Sequence, residues 1–385
     1  MNWKFTFVMH CITFFLLVWS FQIHAQSQTE AIILDAETRM PLEFVDVYNS
    51  SNYTSTNSDG RFQFTTSADS IKFNRLGYHS KAFVISAFKK DTVYLSPASE
   101  SLAEVHVIEQ SIYKKMIAHL EENYPITPYK ERFFLRATVK NDGHITKLAD
   151  LNGKLERKRL IGDMKTNERP NKNYTIEIEN LRKAAIMEDD IDFVFPSFER
   201  YLDLASTLIS FSDSTKVELS NYGDHLVKLQ AKSTKNDSEA YLIINTKDYA
   251  VEESFIKMSY PDAEFEKGKG TESRDRYNIF HSFYKALPNG KYVLTKNMHK
   301  AAIECRYKDK LYTYVQNIQY RSSDHFADFD IKRNVRAHKD IFKVKTSYAA
   351  GFWNDQNQLL LTDAMKAFIE KVKVGDSDFK IKSNF

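Results

Sequence analysis

Short stretches that alternate apolar with polar residues, separated by Asp-Gly and Asn-Gly turns, recur along most of this chain. This period of two constrains the fold more than any other feature. Phe62 and Phe64 alternate with Arg61 and Gln63, directly after Asn57-Ser58-Asp59-Gly60. Glycine takes a positive φ without steric cost, so Asp59-Gly60 predicts a tight hairpin. Asn141-Asp142-Gly143 and Asn289-Gly290 repeat the signal further on. Sequential hairpins build antiparallel sheets, so a mainly β chain is expected. Of its 385 residues 42% are hydrophobic, enough for a sizeable core. Lys+Arg number 54 and Asp+Glu 51, a formal charge of only +3. That balance gives no support for a nucleic-acid partner.

The first 25 residues read as a secretory signal peptide. Lys4 supplies a positive start, residues 12–21 are almost entirely apolar, and Ile23-His24-Ala25 ends in a small residue. The apolar run is shorter than the ~20 residues of a spanning helix. Cleavage after Ala25 removes Cys11 and leaves Cys305 alone, so no internal disulfide forms and the core must hold the fold. No later run is long and apolar enough to cross a membrane as a helix. Charges such as Lys300, Glu304, Arg306 and Lys308 interrupt both strand faces, which argues against a lipid-embedded barrel.

Residues 28–108 read as one small β-sandwich with seven-stranded architecture. Strand patterns fall at Ala31-Ile32-Ile33-Leu34, Phe44-Val45-Asp46-Val47-Tyr48, Phe62 to Phe64, Ile71 to Phe73, Phe83-Val84-Ile85 and Val93-Tyr94-Leu95, with Leu102, Val105 and Val107 closing the segment. Asp35, Thr38, Pro41-Leu42, Val45, Val47, Thr56, Asp59-Gly60, Phe62, Phe64, Gly77-Tyr78 and Leu102-Ala103-Glu104-Val105 stand in a familiar order. On these residues the segment resembles a carboxypeptidase-like regulatory domain, a transthyretin-like sandwich that often opens secreted and outer-membrane proteins of Bacteroidota. Ala31 stands where that family usually has glycine. The resemblance implies an accessory module without catalytic residues.

Ile112, Met116 and Leu120 fall four apart and predict a linking helix over 109–124, ended before Pro125. Residues 112–136 resemble the region after the sandwich in a family of Bacteroidota envelope proteins, which implies an envelope location. Residues 125–385 read as a larger antiparallel, curved sheet with a few packed helices. Helices are expected near 197–209, with Phe198, Tyr201, Leu202, Ala205 and Leu208 in a stripe, and at 362–373, where Thr362 is the N-cap of a stripe of Met365, Phe368, Ile369 and Val372. The run 241–258 with the aromatic strands after it is similar to the curved open sheet of periplasmic lipoprotein-carrier proteins, a likeness of architecture.

Candidate chemistry is sparse. His119 and Glu122 have the HxxE spacing that holds two metal ligands in zinc carboxypeptidases, but such pairs arise by chance and no third ligand is apparent. Gly268-Lys269-Gly270-Thr271 lacks the spacing of a phosphate loop and reads as a charged hairpin loop. The acid pairs Glu252-Glu253 and Asp189-Asp190 sit on adjacent residues, which a strand sends to opposite faces. No GxSxG elbow occurs. Lys154 to Arg159 is the densest basic run; it reads as a solvated strand face, with anionic lipid as the sharper alternative. The 28 Phe and 21 Tyr mostly alternate with polar residues and read as core.

No catalytic, cofactor-binding or metal-ligating residue is assigned, and no cofactor is expected. The chain is expected to be an exported, non-catalytic module of the periplasm or outer-membrane periphery that binds an envelope partner. The alternative is a carrier of a lipid or other apolar ligand in the concave face of its second sheet. A filled sheet interior favours the module, and an open apolar trough the carrier.

Overall fold

A computed structural model describes residues 27–98, 108–161, 174–187, 215–222, 225–268, 270–346, 348–354, 359–375 and 380–384. The signal-like stretch 1–25, the strand expected at 102–107 and the helix expected near 197–209 lie outside the described residues. The chain divides into two units. The first takes the described residues up to 97 together with 359 and 360, and the second takes the rest.

Seven strands build the first unit: β1 (Ser27–Asp35), β2 (Asp46–Tyr48), β3 (Tyr53–Ser55), β4 (Arg61–Thr66), β5 (Ser70–Asn74), β6 (Lys81–Val84) and β7 (Thr92–Leu95). They form two sheets, β4-β1-β7 and β3-β2-β5-β6. The alternation in the sequence has its expected outcome. Phe62, Phe64, Ile71 and Phe73 are fully buried in one core with Ile33, Val45, Val47 and Leu95. Asp59-Gly60 does not close a hairpin, because its flanking strands β3 and β4 belong to different sheets. Asn57 Oδ1 accepts from the Asp59 and Arg61 amides, and Gly60 sits at φ 71°. A Cβ on Gly60 would stand 2.5 Å from the Ile33 carbonyl, so the turn runs against β1 and carries the chain across to that strand's sheet.

The polar residues of the sandwich motif are staples. Asp35 Oδ1 accepts from the Glu37 and Thr38 amides and Oδ2 from the Tyr78 hydroxyl, all at 2.8 Å. Thr56 donates to the Leu42 carbonyl at 2.6 Å and accepts from the Val45 amide at 2.9 Å. Leu359 is buried, and Asn57 Nδ2 donates to the Leu360 carbonyl at 3.4 Å, so two residues from far along the chain complete this unit.

The second unit starts with α1 (Ile108–Ala118) and the single turn α2 (Leu120–Asn123), broken at His119. The segment expected as a linker packs into this unit's own core, where Met116, Leu120 and Tyr124 are buried. The strands follow: β8 (Tyr129–Asn141), β9 (His144–Arg157), β10 (Thr175–Met187), β11 (Thr215–Asn221), β12 (Leu226–Ser233), β13 (Glu239–Asn245), β14 (Val251–Ser259), β15 (Glu266–Lys267), β16 (Glu272–Ala286), β17 (Tyr292–Tyr307) and β18 (Lys310–Ser323). Then come α3 (Asp363–Lys373), N-capped by Thr362 Oγ1 on the Met365 amide, and β19 (Lys380–Ser383). The strands make one twelve-stranded antiparallel sheet in the order β11-β12-β13-β14-β16-β17-β18-β8-β9-β10-β19, with β15 on β16. The Asp142-Gly143 hairpin forms as expected, both residues at positive φ. Lys308-Asp309 makes the same kind of turn between β17 and β18 without a glycine.

Along these strands one face is apolar. Phe133, Leu135, Ala137 and Val139 of β8 share it with Ala149, Leu151 and Leu155 of β9 and with Leu229, Leu242 and Ile318 further across. The sheet curls around this face. Arg157 on β9 and Tyr284 on β16 are four strand steps apart, about 19 Å on a flat sheet. Yet the Arg157 charge acts on the Tyr284 hydroxyl, opposing the upward push of its burial. Register shifts, with the extra residue on β9, β10, β14, β16 and β17, supply the bends. Val335, Ala337, Ile341 and Val344 join α1 and α2 in covering the inner face, while α3 packs Phe368, Ile369 and Val372 on Leu148, Ala184 and Ile186 of the outer face.

Gly153 marks the tightest approach in the sheet. A Cβ there would stand 1.9 Å from the Glu177 carbonyl, where β10 bulges, whereas Gly143 at its exposed turn meets nothing within 4 Å. Gly153→Ala is expected to lose about 2 kcal/mol or more, and Gly143→Ala about 1 kcal/mol from its positive φ. Urea unfolding of the two variants checks the ranking, and equal losses would remove the close approach from the account.

Candidate ligand-binding face

The inner face carries two polar sets: one on β16 and β17, where Asn297 Nδ2 donates to Ser282 Oγ at 2.9 Å and His299 Nε2 lies 3.1 Å from Asn278 Oδ1, and one at the end where β8, β9 and β18 bring polar side chains together. Alternation on β8 sends Tyr129 and Glu131 inward with Phe133, and on β9 it sends Arg157 inward with Leu155. Glu131 Oε1 accepts from Arg157 Nη2 at 2.9 Å and from the Tyr320 hydroxyl at 2.6 Å. Both charged side chains are almost completely buried. The Arg157 guanidinium also lies 5.6 Å from the Tyr174 ring and 5.9 Å from the Tyr320 ring. Tyr129 Oη and Glu131 Oε2 have no hydrogen-bond partner.

Burial, reinforced by the Glu131 charge, pushes the Tyr129 and Tyr320 hydroxyls well above their ordinary range. Both therefore stay protonated and offer hydrogen bonds. Burial lowers the His325 imidazole against the opposing pull of Glu131. With Ser322 donating to the Leu294 carbonyl, His325 donates from Nε2 to Ser322 Oγ at 2.8 Å. The 3.7 Å approach of His325 Nε2 to Glu131 Oε2 is thus a contact between a neutral ring and a carboxylate at neutral pH. The arrangement suits binding: a largely apolar wall with a few donors and acceptors set into it.

The residues singled out from the sequence are dispersed. His119 Nδ1 contacts the Lys115 carbonyl at 2.7 Å and its ring lies on Tyr249, while Glu122 stands 4.0 Å from Nε2 and is largely exposed. Among the described residues no group of three metal-ligating side chains assembles around them. Glu252 and Glu253 part as expected. Glu252 accepts from Asn245 Nδ2, and Glu253 accepts from the Tyr241 hydroxyl and contacts His281 Nε2, both at 2.6 Å, on the outer face. Asp189 and Asp190 lie outside the described residues. Gly268 and Thr271 close the loop between β15 and β16. Cys305 is buried.

The basic run is not one solvated face. Lys154 points outward to Glu177 and Glu179, at 3.6 and 3.3 Å, while Arg157 is interior. Strand alternation divides the run, so reading it as a block of charge missed the buried pair. The signal available was the apolar Leu151 and Leu155 at even spacing from Arg157. On the outer face Asp150 is clamped by Arg136 and Arg182 at 2.8 and 2.6 Å. Burial opposes its ionisation, but the two guanidinium groups hold its carboxyl below the usual range.

No family model matches the chain, and no curated protein matches it. Among solved structures, a LolA superfamily protein from Nitrosomonas europaea is similar at 12% identity over 58% of this chain and 94% of that one, with a TM-score of 0.23. A structure on lipid–protein interactions in lipovitellin is similar at 9% identity over 64% of this chain, with a TM-score of 0.25; the chain spans 30% of its length. Neither likeness is close enough to carry an argument.

Two outcomes follow from the buried cluster. Glu131→Gln leaves the Arg157 charge uncompensated and is expected to cost about 3–5 kcal/mol by chemical denaturation. The folded-state pKa of His325 lies below its ordinary 6.5, so the unfolded chain binds the proton first as pH falls. Stability from this group is complete above 6.5 and is lost as pH drops below it. His325→Asn is expected to flatten that part of the stability–pH curve, and an unchanged slope would place the titration elsewhere.

Proposed function

We propose that the second unit is a carrier, holding an apolar ligand against the inner face of its curled sheet. One observation carries the reading: among the described residues the sheet is unclosed and presents a largely apolar face, covered by α1, α2 and the segment 335–344 rather than by a second sheet. Helices α1 and α2 pair with no strand among the described residues, so their displacement would leave the ladders intact and give a ligand a way in. The polar end formed by Tyr129, Glu131 and Tyr320 would orient a ligand with one polar terminus.

On the sequence resemblance, the first unit is proposed as a carboxypeptidase-like regulatory module with no catalytic part, and the whole chain as an exported, non-enzymatic envelope protein. One observation favours the other function, a binding or structural module for an envelope partner. Leu135, Leu151, Leu242 and Ile244 have no exposure at all, so the chain's own side chains fill the interior around them.

Native mass spectrometry of the purified protein separates the two. A carrier is expected to retain an apolar adduct of a few hundred daltons or more, or to take up a long-chain fatty acid with about micromolar affinity. A bare chain that also ignores the fatty acid would remove the carrier reading and leave the module.

A further inference from the structure

We infer that the second unit contains an oxyanion site that takes a phosphate ester. The site is a pocket of about 740 Å³ between the end of β9, the start of β10 and the segment 333–338. Among the described residues its lining includes Lys158, Arg333, Arg336 and His338 and no carboxylate. None of these four side chains has an ion pair or hydrogen bond among the described residues. Several arginines elsewhere on the unit are ion-paired: Arg132 with Glu179, Arg274 with Glu304, Arg306 with Glu272. In a chain of net charge +3, three cationic side chains and an imidazole around one concavity, with no counter-charge among the described residues, form a local concentration of positive potential.

The frame that presents these groups is fixed. The Asn334 amide donates to the Ile176 carbonyl at 3.2 Å, and its side chain pairs with both backbone groups of Ile178, accepting at 2.9 Å and donating at 2.8 Å. This completes the ladder where β10 bulges between Ile178 and Asn180. Val335 bridges Ile176, and both Val335 and Ala337 are buried. Alternation along the anchored segment then leaves Arg336 and His338 on its exposed side. Tyr174 forms the opposite wall. It is 4% exposed, and its ring lies on Arg157, the buried partner of Glu131. The pocket thus adjoins the polar end of the inner face.

Chemistry narrows the ligand. Guanidinium forks and an ammonium match the geometry and charge of phosphate oxygens. The volume is more than inorganic phosphate alone fills, which points to a phosphate carrying a substituent. The substituent comes either from a soluble ester or from a phospholipid headgroup. Only the second source rests on the carrier reading, where the headgroup would sit here and the apolar part against the inner face.

The test uses the full chain and two double variants of equal charge change. Lys158→Gln with Arg336→Gln alters the pocket, and Lys235→Gln with Lys285→Gln alters exposed residues elsewhere. Calorimetry measures binding of inorganic phosphate and glycerol phosphate. Sedimentation measures binding to vesicles of phosphatidylglycerol and phosphatidylcholine at three to seven, against phosphatidylcholine alone. The pocket variant is expected to bind the ester or the anionic vesicles roughly tenfold more weakly or worse, with the control variant unchanged. Loss with the soluble ester alone supports the site and assigns a soluble source; loss with vesicles alone supports it and assigns a headgroup. Equal binding by both variants, or none by the unmodified chain, overturns the site. A fatty acid still held by the pocket variant leaves the carrier reading standing, and a site that binds ester in a chain holding no apolar ligand stands without it.

Discussion

An antiparallel sheet that stays open among the described residues must still hide one face from water, and the organisation of the second unit depends on that constraint. The sheet meets it by curling until strands far apart in order face one another, so that the Arg157 charge reaches the Tyr284 hydroxyl. Curling alone does not seal an open sheet, and α1, α2 and the segment 335–344 cover what is left. Register shifts on five strands concentrate the bending at a few positions. Gly153 belongs to this requirement, since the bulged backbone of β10 occupies the space a side chain would need.

Burial then decides which charged groups the sheet tolerates. Inside, one carboxylate and one guanidinium neutralise each other and share tyrosine contacts. Outside, Asp150 is held between two arginines, one of which, Arg182, also stacks on Trp353 at 4.6 Å. Desolvation makes either arrangement costly to break, whatever its net worth against an apolar replacement. Both sets therefore act more as fixed points that define strand register than as large sources of stability.

The sequence makes the repeating hairpins legible, because period-two alternation and Asp-Gly or Asn-Gly turns are local signals. Phe62, Phe64, Ile71 and Phe73 could be placed in a core from their spacing alone. What stays hidden is non-local. Asp59-Gly60 has the chemistry of a hairpin, yet the approach of Gly60 to the Ile33 carbonyl makes it a crossover between sheets. Lys308-Asp309 turns the chain without glycine, so composition gives no warning of it. Glu131 and Arg157 are 26 positions apart and meet only through the register of β8 and β9. The polar end of the inner face could not be found without that register, and neither could the approach of 333–338 to β10.

The small sandwich has a dependence on sequence order that its own strands conceal. Its core and staples all come from the first hundred residues, except for Leu359 and the carbonyl of Leu360. A ribosome delivers those two residues some 260 positions after β7. The body translated first thus lacks these two residues until every described strand of the large sheet but β19 has been made.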